Sequence, residues 1–235
     1  MSLTETLREH AFELGADLCK VASLAGFSDA PSGHHPRDTV SAGQSIIVLG
    51  MKYLDAQVNI LPDGREGSFF TTSPRQEMYA GHNGLIAHEL DVIGLKLARF
   101  LERQGFQAYH QMASQGGVDN RFLRSILSLK HIAVNAGIGV FGYNALVLTP
   151  EYGPRVRLGA IITNAELEAD EPLTADFCTA CPGTPCITLC PAKALSTPAR
   201  GQPYHIDKFA CSTYLRTRPA CAICMKVCPI GTHAR

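Results

Sequence analysis

The sequence predicts a mixed α/β chain in two parts, a larger domain over residues 1–170 and a small cysteine-rich domain over residues 171–235. Three observations carry this. Ile86, Leu90, Ile93, Leu97 and Leu101 recur at the steps of a helix with one face in a core. Short apolar runs of strand type, "SIIVLGM" and "RVRLGAIIT", are interspersed with helical stretches, without the regular alternation of a doubly wound sheet. Eight of the nine cysteines fall between Cys178 and Cys228, a shift in composition that marks a boundary.

The elements follow in order. Ser2-Leu3-Thr4-Glu5 forms a capping box, and Leu7, Phe12 and Leu14 suit a short helix ending at Gly15. "DLCKVAS" reads as a strand, and "SGHHPRD" as a loop that exposes His34 and His35, because a metal site needs more partners than lie nearby. "FQAYHQM" reads as a strand, "NRFLRSILSLKHIAVNA" as a helix, "ALVLT" as a strand and "PEYGP" as a turn. The acidic "NAELEADEPLTAD" reads as a linker into the cysteine domain, which is too small to rely on an apolar core of its own.

Composition narrows the classes of function. Hydrophobic residues make up 46% of the chain, the mean hydropathy is +0.03, and no apolar run has the length a membrane helix requires. Twenty-one basic residues balance 21 acidic ones, which argues against nucleic acid as a partner. The N-terminus lacks the features of a secretory peptide, so the chain is expected in the cytoplasm. Thiols stay reduced there, and clustered cysteines point to metal or redox chemistry rather than disulfides.

The cysteines form two runs, Cys178-x2-Cys181-x4-Cys186-x3-Cys190-Pro191 and Cys211-x9-Cys221-x2-Cys224-x3-Cys228-Pro229. Both end as bacterial ferredoxin runs do, where the last Cys of each ligates the other cluster. The expectation is therefore two [4Fe-4S] clusters, one on Cys178, Cys181, Cys186 and Cys228, the other on Cys190, Cys211, Cys221 and Cys224. Paired C-x2-C units also make zinc sites, and the x4 gap at "PGTP" is two residues longer than in the ferredoxin run. Cys19 reads as a small buried hydrophobe.

"GIGVFG" at 137–142 matches G-x-G-x-x-G, but a dinucleotide site needs a strand before it and a helix after it. Here the order is reversed. The glycines read as a helix end, with Gly137 left-handed, followed by a tight turn whose bare backbone admits a close neighbour.

The stretch "SLKHIAVNAGIGVFGYNALVLTPEYGPRVRLGAIITNAEL", with the two ferredoxin-type runs after it, resembles the epoxyqueuosine reductase and reductive dehalogenase group of corrinoid iron–sulfur enzymes. The resemblance implies a nitroreductase-like mixed sheet flanked by helices, holding a base-off cobalamin, with a ferredoxin-like domain carrying two [4Fe-4S] clusters. It nominates Gly137, Gly139, Gly142, Asn144, Glu151, Tyr152 and Gly153 as corrinoid-binding. The nearest counterpart of the proton-donating aspartate of epoxyqueuosine reductases is Asp119 in "GGVDNRF", which equally suits a helix cap. Tyr79, Tyr109 and Tyr143 are available as tyrosine donors of the dehalogenase kind, though none matches by motif. The tRNA-binding extension of many epoxyqueuosine reductases has no counterpart before Arg235, a second expectation against tRNA.

The functional expectation is a cytoplasmic cobalamin-dependent reductase. A low-potential donor of ferredoxin or flavodoxin type feeds two clusters, and these feed a corrinoid that reduces a small organic substrate. The alternatives are an electron-transfer iron–sulfur protein without a corrinoid of its own, or one reducing another protein's corrinoid or flavin, then an epoxyqueuosine reductase acting on tRNA, and a zinc-stabilised binding module.

Overall fold

The structure is a computed structural model that describes residues 2–62, 69–114, 118–119, 121–217 and 220–231. The chain divides into two compact units, Met1–Met51 with Ile86–Ile138 and Arg157–Leu173, and Lys52–Leu85 with Gly139–Val156 and Thr174–Arg235. Neither unit is continuous in sequence.

In the first unit, Ser2 and Glu5 close the capping box of helix Leu3–Glu13, with Glu5 N donating to Ser2 Oγ at 3.2 Å and Ser2 N to Glu5 Oε2 at 2.8 Å. Leu7 and Ala11 point into the core. The sheet has four strands in the order Leu18–Ser23, Ser45–Lys52, Val156–Thr163, Ala108–Gln111. The first two run antiparallel from Leu18 opposite Gly50 to Ser23 opposite Ser45, and the last two run antiparallel from Ala108 opposite Thr163. Strand Ser45–Lys52 is buried on both faces except at Lys52, which explains its unbroken apolar run. Leu90, Ile93, Leu97 and Leu101 of helix Phe69–Arg103 pack into the same core as Ile47, Leu49 and Ile161.

Three expectations change here. Helix Phe69–Arg103 begins well before Ile86, with Pro74 inside it. The helix expected over "NRFLRSILSLKHIAVNA" is confined to Leu129–Asn135. Leu123 is left-handed at φ 48°, and Val118–Asp119 pairs with Arg124–Ser125, so the chain reverses before the helix starts. The acidic "linker" is packed down through residue 170: Leu167 N donates to Ser45 Oγ at 3.0 Å, and Asp170 accepts Val21 N at 2.8 Å and Arg8 at 2.6 Å. Asp170 thereby occupies the outer edge of strand Leu18–Ser23 at Val21, where its own N–H also donates to the Val21 carbonyl at 2.8 Å.

The second unit is built of short pieces. It contains helices Asp55–Asn59, Pro185–Thr188, Lys208–Thr217 and Ile223–Lys226. It also has the two-residue ladders Val140–Phe141 with Val147–Leu148 and Leu195–Ser196 with His205–Ile206. Buried Arg155 ties it together, donating to Asp55 Oδ1 at 2.8 Å, Asn59 Oδ1 at 3.1 Å and the Lys226 carbonyl at 3.4 Å.

The mixed α/β fold with helices beside a sheet stands, and the ferredoxin-like domain holding two [4Fe-4S] clusters is corrected. Among the described residues, no group of three or more His, Cys, Asp or Glu side chains is arranged to hold a metal ion. The region instead folds as short helices and a two-residue ladder.

Candidate functional site

The thiols of the second unit sort into two neighbourhoods by the charges each one feels. Cys186 and Cys228 both feel Cys178 and Cys181, and Cys221 and Cys224 both feel Cys211 and Cys190, with Cys224 also feeling Cys186 across the two. Burial is the main force on them. It pushes the Cys186 thiol up to about 11 and Cys228 up to about 12, and raises Cys178, Cys221 and Cys224 as well. Buried thiols of this kind stay protonated at neutral pH when nothing else acts on them, whereas a metal ligand is a thiolate.

Cys178, Cys181, Cys186 and Cys228 line one cavity together with Tyr143 and Asn144. Its volume is ≈ 10 Å³, about the space that one water needs. The Tyr143 backbone N–H donates to Cys178 Sγ at 3.4 Å, and buried Asn144 donates from Nδ2 to the Cys224 carbonyl at 3.4 Å while its Oδ1 accepts Leu146 N at 3.1 Å. Asn144 therefore fixes the turn that roofs the cavity. The expectation of two [4Fe-4S] clusters as cofactors is corrected: no metal-holding group is assembled among the described residues, and the four thiols of the first expected cluster line a water-sized space. The iron–sulfur function and the 4Fe-4S, metal-binding and cobalamin descriptions fall with it.

The glycine turn has another use. A Cβ on Gly137 would meet the Glu171 carbonyl oxygen, one on Gly139 the Leu148 carbonyl oxygen, and one on Gly142 the Leu148 side chain and Asn144 Oδ1 at 2.8 Å. The space beside these buried glycines is filled by the chain's own backbone and side chains. The expected cobalamin is corrected on this point, because the close neighbour that the bare backbone admits is the protein itself. Gly137 is left-handed at φ 69°, directly after the cap of helix Leu129–Asn135, and Lys20 Nζ donates to its carbonyl at 3.0 Å. Gly153, at φ 54°, ends a bridge with Thr149, Tyr152 lies under Lys52 Nζ at 5.7 Å, and Glu151 is exposed.

Asp119 is paired with Arg121, which donates from its backbone N at 2.9 Å, Nε at 3.1 Å and NH2 at 2.8 Å. These bonds hold its carboxyl below the usual range, the opposite direction from the raised value a proton donor needs. Tyr79 is buried with its hydroxyl 3.7 Å from Met225 Sδ, and Tyr109 is 39% exposed on the last strand of the sheet. Cys19 is buried and pushed up to about 12 by that burial.

Two features escaped the sequence reading. Arg155 gives no local signal, since its partners Asp55 and Asn59 are 100 and 96 residues away. The second was countable: residues 174–235 hold seven Lys and Arg against two Asp, while residues 1–173 hold fourteen against nineteen acids. The neutral total conceals a basic C-terminal segment.

No family model matches the chain. It is homologous over part of its length to both epoxyqueuosine reductases and reductive dehalogenases. It is 35% identical over 116 residues to the epoxyqueuosine reductase of Bacillus subtilis, covering 45% of this chain and 29% of that protein. It is 32% identical over 117 residues to the tetrachloroethene reductive dehalogenase of Dehalobacter restrictus, covering 41% of this chain and 21% of that one. The chain thus spans less than a third of the length of these relatives. Among solved structures, an epoxyqueuosine reductase with a modified tRNA stem loop superposes with a TM-score of 0.64 at 20% identity, over 99% of this chain and 66% of that one. A catabolic reductive dehalogenase gives 0.68 at 20% identity, over 98% and 32%. These likenesses establish the fold, and the partial homology is to enzymes of a reductase superfamily. The expectation against nucleic acid is withdrawn, since a protein of this fold holds a tRNA stem loop and the neutral charge behind that expectation is an average of unlike segments. Among the described residues no helix is long and apolar enough to cross a membrane.

Proposed function

We propose that this chain is a cytoplasmic reductase acting on a modified base carried in RNA, with the reducing site beside the thiol-lined cavity under Tyr143 and Asn144. The observation that carries the proposal is the basic segment 174–235, which brings seven cations and eight cysteines together in one stretch of chain. Cations that neutralise phosphates supply most of the sequence-independent affinity for a nucleic acid. The homology to epoxyqueuosine reductases supports the same reading, since one of that fold is solved with a tRNA stem loop.

The test offers anaerobically purified protein, with titanium(III) citrate as reductant, two substrates side by side: a tRNA stem loop bearing epoxyqueuosine, and tetrachloroethene. Mass spectrometry of the digested RNA should show loss of the epoxide oxygen. Turnover of tetrachloroethene alone overturns the proposal in favour of a dehalogenating reductase.

A further inference from the structure

Helix Lys208–Thr217 presents an unusual surface for a segment with so little apolar core. Phe209 is 53% exposed, and Lys208 Nζ lies 5.4 Å from its ring centroid. Leu215 is 41% exposed, and Thr213 and Arg216 share the face of Phe209, four and seven residues on. The first turn is held firmly. Asp207 Oδ1 accepts the backbone N–H of Phe209 at 3.0 Å and of Ala210 at 2.9 Å, so one of the two acids in residues 174–235 is committed to the helix start.

The ladder before the helix adds charge to the same place. Leu195 pairs with Ile206, and Asp207 N donates to the Ala194 carbonyl at 2.8 Å. Exposed Lys193 therefore lies at the same end of the ladder as Lys208, and exposed Arg200 lies in the loop at its other end. An exposed ring with a cation over it, on a helix that carries Arg216 and begins at the ladder end where Lys193 lies, complements a strand that carries phosphates and flat bases.

On the reading that the substrate is carried in RNA, we propose that this helix is a docking platform for an unpaired stretch of RNA: a base stacks on Phe209 while Lys208, Arg216 and Lys193 meet the flanking phosphates. A ring stacks on any base, so the platform prefers single strands over duplex rather than one sequence over another.

The test measures binding of a fluorescein-labelled anticodon stem loop, and of a blunt duplex of equal length, by anisotropy with the full chain. Phe209→Ala should weaken loop binding about fivefold or more and leave duplex binding unchanged, and Phe209→Trp should restore it. Arg216→Ala should flatten the salt dependence by about 0.7 in logarithmic slope. Phe209 is exposed, so the thermal midpoint of Phe209→Ala should match the parent, which separates lost stacking from lost fold. Unchanged loop binding in Phe209→Ala overturns the proposal, as does displacement of the loop by polyglutamate as readily as by unlabelled RNA, which points to an acidic protein. Turnover of the RNA substrate by a variant that binds like the parent removes the platform and leaves the proposed function standing. Phe209-dependent binding without any turnover does the reverse.

Discussion

Gly153 and Gly231 meet backbone to backbone: a Cβ on Gly231 would strike the Gly153 amide nitrogen, and one on Gly153 would strike the Ile230 carbonyl and come within 3.3 Å of the Gly231 nitrogen. Both are left-handed, at φ 54° and 74°. The contact ties the Thr149–Gly153 bridge to the segment directly after Cys228 and Pro229, and so fixes one wall of the thiol-lined cavity. Gly153→Ala and Gly231→Ala should each lose about 1–2 kcal/mol from left-handed strain, and more from the collision. Gly201, at φ 83° with nothing within 4 Å of its Cβ position, supplies the comparison. In urea denaturation Gly201→Ala should show the strain alone, and equal losses in all three would deny the close approach.

Asp55 sits between Lys52 Nζ at 2.7 Å and Arg155 NH1 at 2.8 Å, and these cations hold its carboxyl below the usual carboxylate range, the Lys52 hydrogen bond most of all. Because the folded value is depressed, its contribution to stability is present above the unfolded value of about 3.9 and is lost as the pH falls through the folded one. Denaturant midpoints measured from pH 6 to pH 2.5 should fall, and Asp55→Asn should fall less steeply. Arg155→Met should cost about 1–3 kcal/mol at pH 7, because the Asn59 and Lys226 oxygens lose their donor while exposed Asp55 turns to water. A pH profile unaltered by Asp55→Asn would remove the pair from the account.

What the sequence made legible follows the range of the interactions involved. The capping box of Ser2 and Glu5, the core face from Ile86 to Leu101 and the left-handed Gly137 are local, and spacing alone foretells them. The early start of helix Phe69–Arg103 was hidden because Pro74, Gly81 and Gly84 are poor helix residues. "FLRSILSL" has helical spacing, yet a local reversal, with Leu123 left-handed and Asp119 paired to Arg124, takes its start out of the helix. The thiol cavity was legible as a cluster of cysteines but not in its volume or its roof, because Asn144 and Tyr143 reach it from more than thirty residues upstream of Cys178. The basic segment was overlooked because charge was summed over the whole chain.

The glycine turn yields a prediction opposite to that of a cofactor cradle. If Gly139 and Gly142 are bare because Leu148 occupies the space, Gly139→Ala and Gly142→Ala should lower the thermal midpoint of the chain as isolated, with no ligand added. Overpacking of this kind costs about 1–3 kcal/mol, or several degrees in a chain of this size. A midpoint that stays put while binding of a supplied corrinoid is lost would return the turn to a cofactor.

The last prediction concerns Gly94 and His110 in the core of the first unit. The imidazole lies against helix Phe69–Arg103 where a Cβ on Gly94 would collide with its Nε2 and Cδ2, and Asp91 Oδ1 stands 3.6 Å from Nε2, beyond a hydrogen bond. Burial lowers the His110 pKa, and Asp91 opposes the shift without cancelling it. The neutral ring is therefore the folded form, and its contribution is complete above the ordinary histidine value of about 6.5 and declines as the pH falls below it. Unfolding free energy should drop between pH 7 and pH 5, less so in His110→Gln, with the remaining slope from His82 and His131, whose values burial also lowers. Gly94→Ala sets two effects against each other: helix propensity favours alanine by about 1 kcal/mol, and overpacking against the ring costs about 1–3 kcal/mol. The single variant should be neutral or destabilised. Paired with His110→Ala, the collision is absent and the propensity gain should emerge, so the double-mutant cycle should show coupling of about 1 kcal/mol or more. Additive effects at these two positions would mean that ring and helix do not touch.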